Sequence, residues 1–375
     1  MASASEPPTR RDRLRAQTLA EITEHAMATL DASGAEAVTL AGIAKAMGMS
    51  APGLYRYFPS RDALIDRLVL LGDTLELRHG PVRDALTEAV PVLRELGAAV
   101  GEVILVPGNH DHALLRGWLG RRDTSVALGL ESAVEWDPRE ALGTVVQALA
   151  PARVRVSYPG VWLREDTYAI HGHYGDRHNT VPIIERLGSG LTLRLAGEPT
   201  GGPSRAEDYE AALAPMYAWI DTVAQGGGLR GGGGDGSFQI RAWRSLSGGG
   251  GLRGRALATL FPVLVAGLNR AGLGPLRADV SAVGLRRAAL RASNEVLARL
   301  QVTSAHVIFG HTHRAGPLPG DDLGEWGRLL NTGSWVYEPA WLGDSPRQSP
   351  YRPGFAASIG DDGPPELVNL LDRDA

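Results

Sequence analysis

Ten histidines stand among 375 residues that include no cysteine, and eight of the ten lie in or close beside four short clusters. The clusters are Gly72-Asp73-Thr74-Leu75-Glu76, Gly108-Asn109-His110-Asp111-His112, His171-Gly172-His173-Tyr174-Gly175-Asp176 and Gly310-His311-Thr312-His313. Each mixes imidazole, carboxylate or carboxamide with glycine. Without a thiolate, any metal is held through nitrogen and oxygen, a donor set that suits Mn, Fe or Zn. Imidazole also moves protons near neutral pH. Glycine beside such groups lets the backbone turn sharply and approach an anion.

Each cluster follows a short apolar run. From Arg67 onward, β-branched and Leu-rich stretches alternate with longer helical ones, which predicts an α/β domain. Strands are expected at 67–71, 103–106, 154–156, 167–170, 306–309, 329–331, 355–359 and 367–371. Helices are expected at 82–96, 138–148, 206–224, 255–269 and 284–300. The later strands are joined by short turns, so a mixed sheet is expected. The clusters then sit at strand carboxyl ends, where open α/β sheets build their sites.

Residues 9–66 have another texture. Leu19, Ile22, Ala26 and Leu30 mark one face of an amphipathic helix that Gly34 ends. Thr39 caps a short helix carrying Leu40, Ile43, Ala44 and Met47, and Gly48 turns the chain. Ser50 caps a third helix with Pro52 in its first turn, and Pro59 stops it. This pattern, over about residues 10–66, resembles the DNA-binding helix-turn-helix of TetR-type repressors. The resemblance places Ser50, Ala51, Pro52, Gly53 and Tyr55 near DNA, with Arg56, Tyr57 and Arg61 suited to base or phosphate contacts. Such heads read paired half-sites as dimers, and the helical dimerisation domain of that family has no counterpart in this sequence.

The four clusters, in order, resemble the Gly-Asp, Gly-Asn-His-Asp, His-Gly and Gly-His-x-His blocks of calcineurin-like metallophosphoesterases. The resemblance covers about residues 67–375 and implies a sandwich of mixed sheets flanked by helices, preceded here by the small all-α head. It implies hydrolysis of a phosphomonoester or phosphodiester, with one or two divalent ions. Asp73 would bridge two ions. Asn109, His171 and His311 would complete one, and His313 would serve the other. His110 would protonate the leaving oxygen or stabilise charge on phosphorus, oriented by Asp111, with His173, His112 and Asp176 around the ligands.

The family opens with an Asp-x-His pair at its first strand, and none stands upstream of Asp73. The second ion would keep only Asp73 and His313. Three readings stay open: a one-metal enzyme, a DNA-binding regulator with a degenerate phosphoesterase domain, and a recombined reading frame.

The rest bounds the answer. A net charge of −4 gives no global reason to expect nucleic acid or an anionic membrane as partner. No secretory h-region or membrane-length apolar run is present, which reads as cytoplasmic. A tail is expected at 1–9 and a flexible Gly-rich insertion at 226–251. Trp118, Trp136 and Trp162 read as core or pocket wall.

Overall fold

A computed structural model describes residues 18, 21, 22, 25, 28, 29, 39–50, 67–181, 201–225, 251–271, 274–279, 281–343 and 345–372. The expected tail at 1–9 and nearly all of the Gly-rich insertion lie outside the described residues.

The described helices are α1 Leu40–Ala46, α2 Val82–Ala99, α3 Arg116–Arg121, α4 Ala141–Ala148, α5 Ala206–Gln225, α6 Gly251–Arg270, α7 Ala282–Arg299 and the single turn α8 Pro339–Leu342. The strands are β1 Arg67–Leu71, β2 Glu102–Val106, β3 Glu131–Ala133, β4 Arg153–Arg164, β5 Thr167–Ile170, β6 His306–Phe309, β7 Leu329–Asn331, β8 Phe355–Ser358 and β9 Glu366–Asn369. The chain is mixed α/β, with a curled sheet behind an N-terminal helical segment.

In that helical segment the Thr39 hydroxyl accepts from Gly42 N–H at 3.0 Å, so the side chain caps α1 as its type predicts. Gly48 turns the chain with φ of 65°. Ile22, Ile43 and Ala44 are buried.

The main sheet runs in the order β1-β2-β4-β5-β6-β7, with β3 paired to β4. β4 joins its two halves. Its first residues pair in parallel with β2, and its last pair antiparallel with β5. β5, β6 and β7 are parallel. The sequence suggested a strand only at 154–156, and β4 continues through Pro159-Gly160 to Arg164. In the fold, β2 pairing ends at Val156 and β5 pairing begins at Gly160. Pro159 sits at this handover, facing Glu131 of the short β3. Its missing N–H is tolerated where the ladder changes partner.

Alternation along the strands separates two cores. Val103 and Leu105 of β2, with Val307 and Phe309 of β6, face the larger core, which also takes Leu93 of α2, Val145 of α4, Leu213 of α5 and Val296 of α7. Ile104, Val106, Val161, Ala169, Ile308 and Leu330 face the other way, where Ala357 and Leu367 of the β8–β9 hairpin pack on them. Trp118 is buried in the larger core, and Trp136 and Trp162 pack partly buried against it. No described helix is long and apolar enough to cross a membrane.

Candidate metal centre

β1 and β2 run parallel to the first part of β4, and β5 and β6 run antiparallel to its last part, so the carboxyl ends of the two pairs meet from opposite directions near the middle of β4. Four loops therefore meet. Asp73, His171 and His311 place their ligand atoms within 4.8 Å of one another. His171 Nε2 lies 3.1 Å from an Asp73 carboxylate oxygen.

Both imidazoles are held in the tautomer that a metal needs. His171 Nδ1 faces the Leu71 carbonyl at 2.9 Å, so it carries the proton and Nε2 keeps its lone pair for the cluster. His311 Nε2 lies 2.8 Å from Asp176, so Nδ1 keeps its lone pair. Such outer partners fix ring orientation at metal sites. Asp176 thus stands behind the His311 ring.

Asn109 adds a fourth group. Its Oδ1 is 3.1 Å from His311 Nδ1 and 3.2 Å from His171 Nε2. Turned nitrogen-inward, the amide would donate to both rings and to Asp73, and its oxygen would accept from Arg78. Turned oxygen-inward, it adds an acceptor to a ring of acceptors, an arrangement that a cation satisfies. Carboxylate, carboxamide and two imidazoles at this spacing fit a borderline divalent ion.

The backbone is shaped around this point. Asp73, His311 and His313 have φ of 51°, 61° and 61°, three of the four non-glycine residues with positive φ among those described. Such outliers concentrate at functional sites. A Cβ on Gly72 would sit 2.1 Å from the His171 ring, and one on Gly108 would sit 2.4 Å from Asp73 Oδ1.

The buried Asp111 carboxylate ties two of the loops. It accepts from Gly108 N–H at 2.6 Å, Thr74 N–H at 2.8 Å and Leu75 N–H at 3.4 Å. Burial and the nearby Asp73 push its carboxyl up to about 6. The expectation that Asp111 orients His110 is corrected here: its oxygens are committed to these backbone donors. Glu76 takes that place, 2.5 Å from His110 Nδ1. Burial alone would lower the His110 imidazole, but Glu76 and the charge of Asp73 outweigh it and raise it. Asp73 itself lies well below the usual carboxylate range, because His171, His110 and His311 outweigh its burial.

His313 stands outside the closed cluster. Its ring packs 5.0 Å from Trp341, and its Nδ1 is buried with no hydrogen bond. Burial lowers it to about 4. The other two expected outer histidines join a different set. His112 Nε2 meets Glu210 of α5 at 2.7 Å, Tyr158 donates to the same carboxylate at 2.7 Å, and His173 Nε2 meets the Tyr158 hydroxyl at 3.2 Å. Glu76 closed the first sequence cluster without a role, and Arg78, Tyr158 and Glu210 were not singled out from sequence. Glu210 had a readable signal, a charge on the buried stripe of α5 beside Ala206, Leu213 and Tyr217.

Of the residues expected to contact DNA, Ser50 is exposed. Ala51, Pro52, Gly53, Tyr55, Arg56, Tyr57 and Arg61 lie outside the described residues.

Residues 22–68 match the model of bacterial regulatory proteins, tetR family. The match ends two residues into β1 and does not reach the metal centre. The chain is similar to a solved structure described as a regulatory protein, SCO4313, at 42% identity. That similarity covers 24% of this chain and 38% of the other, with a TM-score of 0.14. No curated protein matches the chain.

Proposed function

We propose that the chain joins a DNA-binding head to a metal-dependent phosphoesterase centre that hydrolyses a phosphomonoester or phosphodiester. The observation that supports it best is the convergence of Asp73, Asn109, His171 and His311 from four strand ends, with both histidines in ligand-ready tautomers. These four would hold one divalent ion of the Mn, Fe or Zn type. When bound, the ion supplies positive charge that polarises a phosphoryl oxygen.

The other groups follow from the chain itself. Glu76 holds His110 Nδ1, which leaves Nε2 as the nitrogen that meets substrate. There the imidazolium donates its proton to the leaving oxygen as the P–O bond breaks, while water adds to phosphorus and gives up a proton to solvent. The Arg78 guanidinium lies beside the outward end of the Asn109 amide, and a guanidinium beside a cation site is suited to a shared anionic ligand. His313 with Asp73 is too small a donor set for a second ion, so the reading is a one-ion centre. Turnover of an aryl phosphate and an aryl phosphodiester with Mn²⁺ tests it. No turnover above a His110→Ala control would reject it.

A second reading is favoured by the match over residues 22–68. The chain would be a DNA-binding regulator whose larger part binds a phosphorylated ligand without turning it over. A gel shift at physiological salt decides this: binding without sequence preference would exclude it.

A further inference from the structure

The set Glu210, His112, Tyr158 and His173 lies beside the metal centre and has no part in the reading above. All four are buried, with Tyr158 and His173 at 0% and 1% exposure. The His173 ring lies 5.6 Å from that of His171.

Donor and acceptor roles along this set are forced. Burial would raise the Glu210 carboxyl, but His112 and Tyr158 outweigh it and hold it below the ordinary value, so it is ionised and accepts only. His112 must then donate through Nε2–H, and Tyr158 must donate through its hydroxyl. With its proton committed, the Tyr158 oxygen meets His173 Nε2 as an acceptor. His173 therefore carries its proton on Nε2. Its Nδ1 keeps a bare lone pair, buried and without a hydrogen bond.

We propose that Glu210 is a positioning residue: through Tyr158 it fixes His173 in the Nε2–H tautomer with Nδ1 held open as an acceptor, and through His112 it fixes the loop that carries Asn109 and His110. The link to the ligands is direct in sequence. His112 is three residues from Asn109, and His173 is two from His171. Helix α5 is thereby tied to two of the four loops that build the centre. Its other ties, Arg122 to Glu207 and Arg116 to Asp221, seat the same helix on α3 and the residue that follows it. The consequence for metal binding rests on the one-ion reading; the tautomers do not.

The test uses the full chain labelled with ¹⁵N in histidine, with His173→Gln and His112→Gln for assignment. In the metal-free protein, His173 shows an unprotonated Nδ1 and a protonated Nε2, and Tyr158→Phe abolishes that preference. Glu210→Gln turns an amide N–H toward His112 and moves the His112 proton to Nδ1, which keeps the idea testable if Tyr158→Phe does not fold. A His173 proton on Nδ1 in the wild type would overturn the proposal. Titration with Co²⁺, followed by its visible absorption, reads the coupling to the centre. Tyr158→Phe should weaken Co²⁺ by about tenfold or more, in the range for lost outer partners. Unchanged affinity and spectrum would overturn the coupling. A wild type that takes up no Co²⁺ would sink the one-ion reading instead, while the tautomer measurement still decides the relay.

Discussion

At the scale of single residues, groups that would hold an ion stand apart from groups that would move a proton. His110 belongs to the second kind, since its Nδ1 is tied to Glu76 and it does not enter the close donor cluster. His110→Ala should therefore cut turnover by about 10²–10⁴-fold, the range for a general acid, while Co²⁺ still binds. Steady-state kinetics beside a metal titration checks both halves. Glu76→Gln should lower kcat by less than His110→Ala and leave KM little changed, because it disturbs the orientation of a proton donor and not the substrate's seat. The donor residues were legible in the sequence, because each sits in a short block with glycine. Glu76 sits in such a block too, but its role was not legible, because nothing in its local context distinguishes it from an exposed carboxylate. Its partner is 34 positions away, and only the pairing of β1 with β2 brings the two together.

At the scale of elements, glycine at two strand ends decides how closely the loops approach. Gly108→Ala would drive a methyl group into Asp73 and His171, and Gly72→Ala would collide with the His171 ring at a φ of 80°. Each should destabilise the protein by more than about 1 kcal/mol, as alanine does where the native backbone excludes it. Thermal melts measure that loss, and a Co²⁺ titration should show metal affinity falling with it. Most strands were readable, since alternation in β2 and β6 divides Val103 and Val307 from Ile104 and Ile308. β3 was not, because three residues, Glu-Ser-Ala, carry no period. The second half of β4 was hidden by Pro159-Gly160, whose turn signal is overridden by a change of strand partner. Helices α2, α5 and α7 follow their apolar periodicity to within a few residues of the expected bounds.

At the scale of the whole molecule, a divalent ion that binds only the folded chain must stabilise it. At one hundred times its dissociation constant the gain is about 2.7 kcal/mol. Mn²⁺ or Co²⁺ should raise the melting temperature, and a chelator should return it. A His171→Ala variant should show neither change. If the head binds DNA, its affinity should fall steeply as salt rises, because phosphate contacts release counterions. Filter binding across a salt series would read the slope. The head was legible from its capping residues and Gly turn, and the match over residues 22–68 agrees with that segment. Its relation to the residues gathered around Asp73 was not legible, because a helix-turn-helix pattern carries no information about the domain it adjoins.

β4 carries one more consequence, for how the protein comes apart. Its amide groups bond to β2 on one stretch and to β5 on the next. Tearing either flank of the sheet loose would strip hydrogen bonds from the same twelve-residue strand. The flanks therefore cannot melt one at a time. Deuterium uptake along β2, β4 and β5 should proceed at one shared, slowest rate, and a pulling experiment on this domain should record a single rupture.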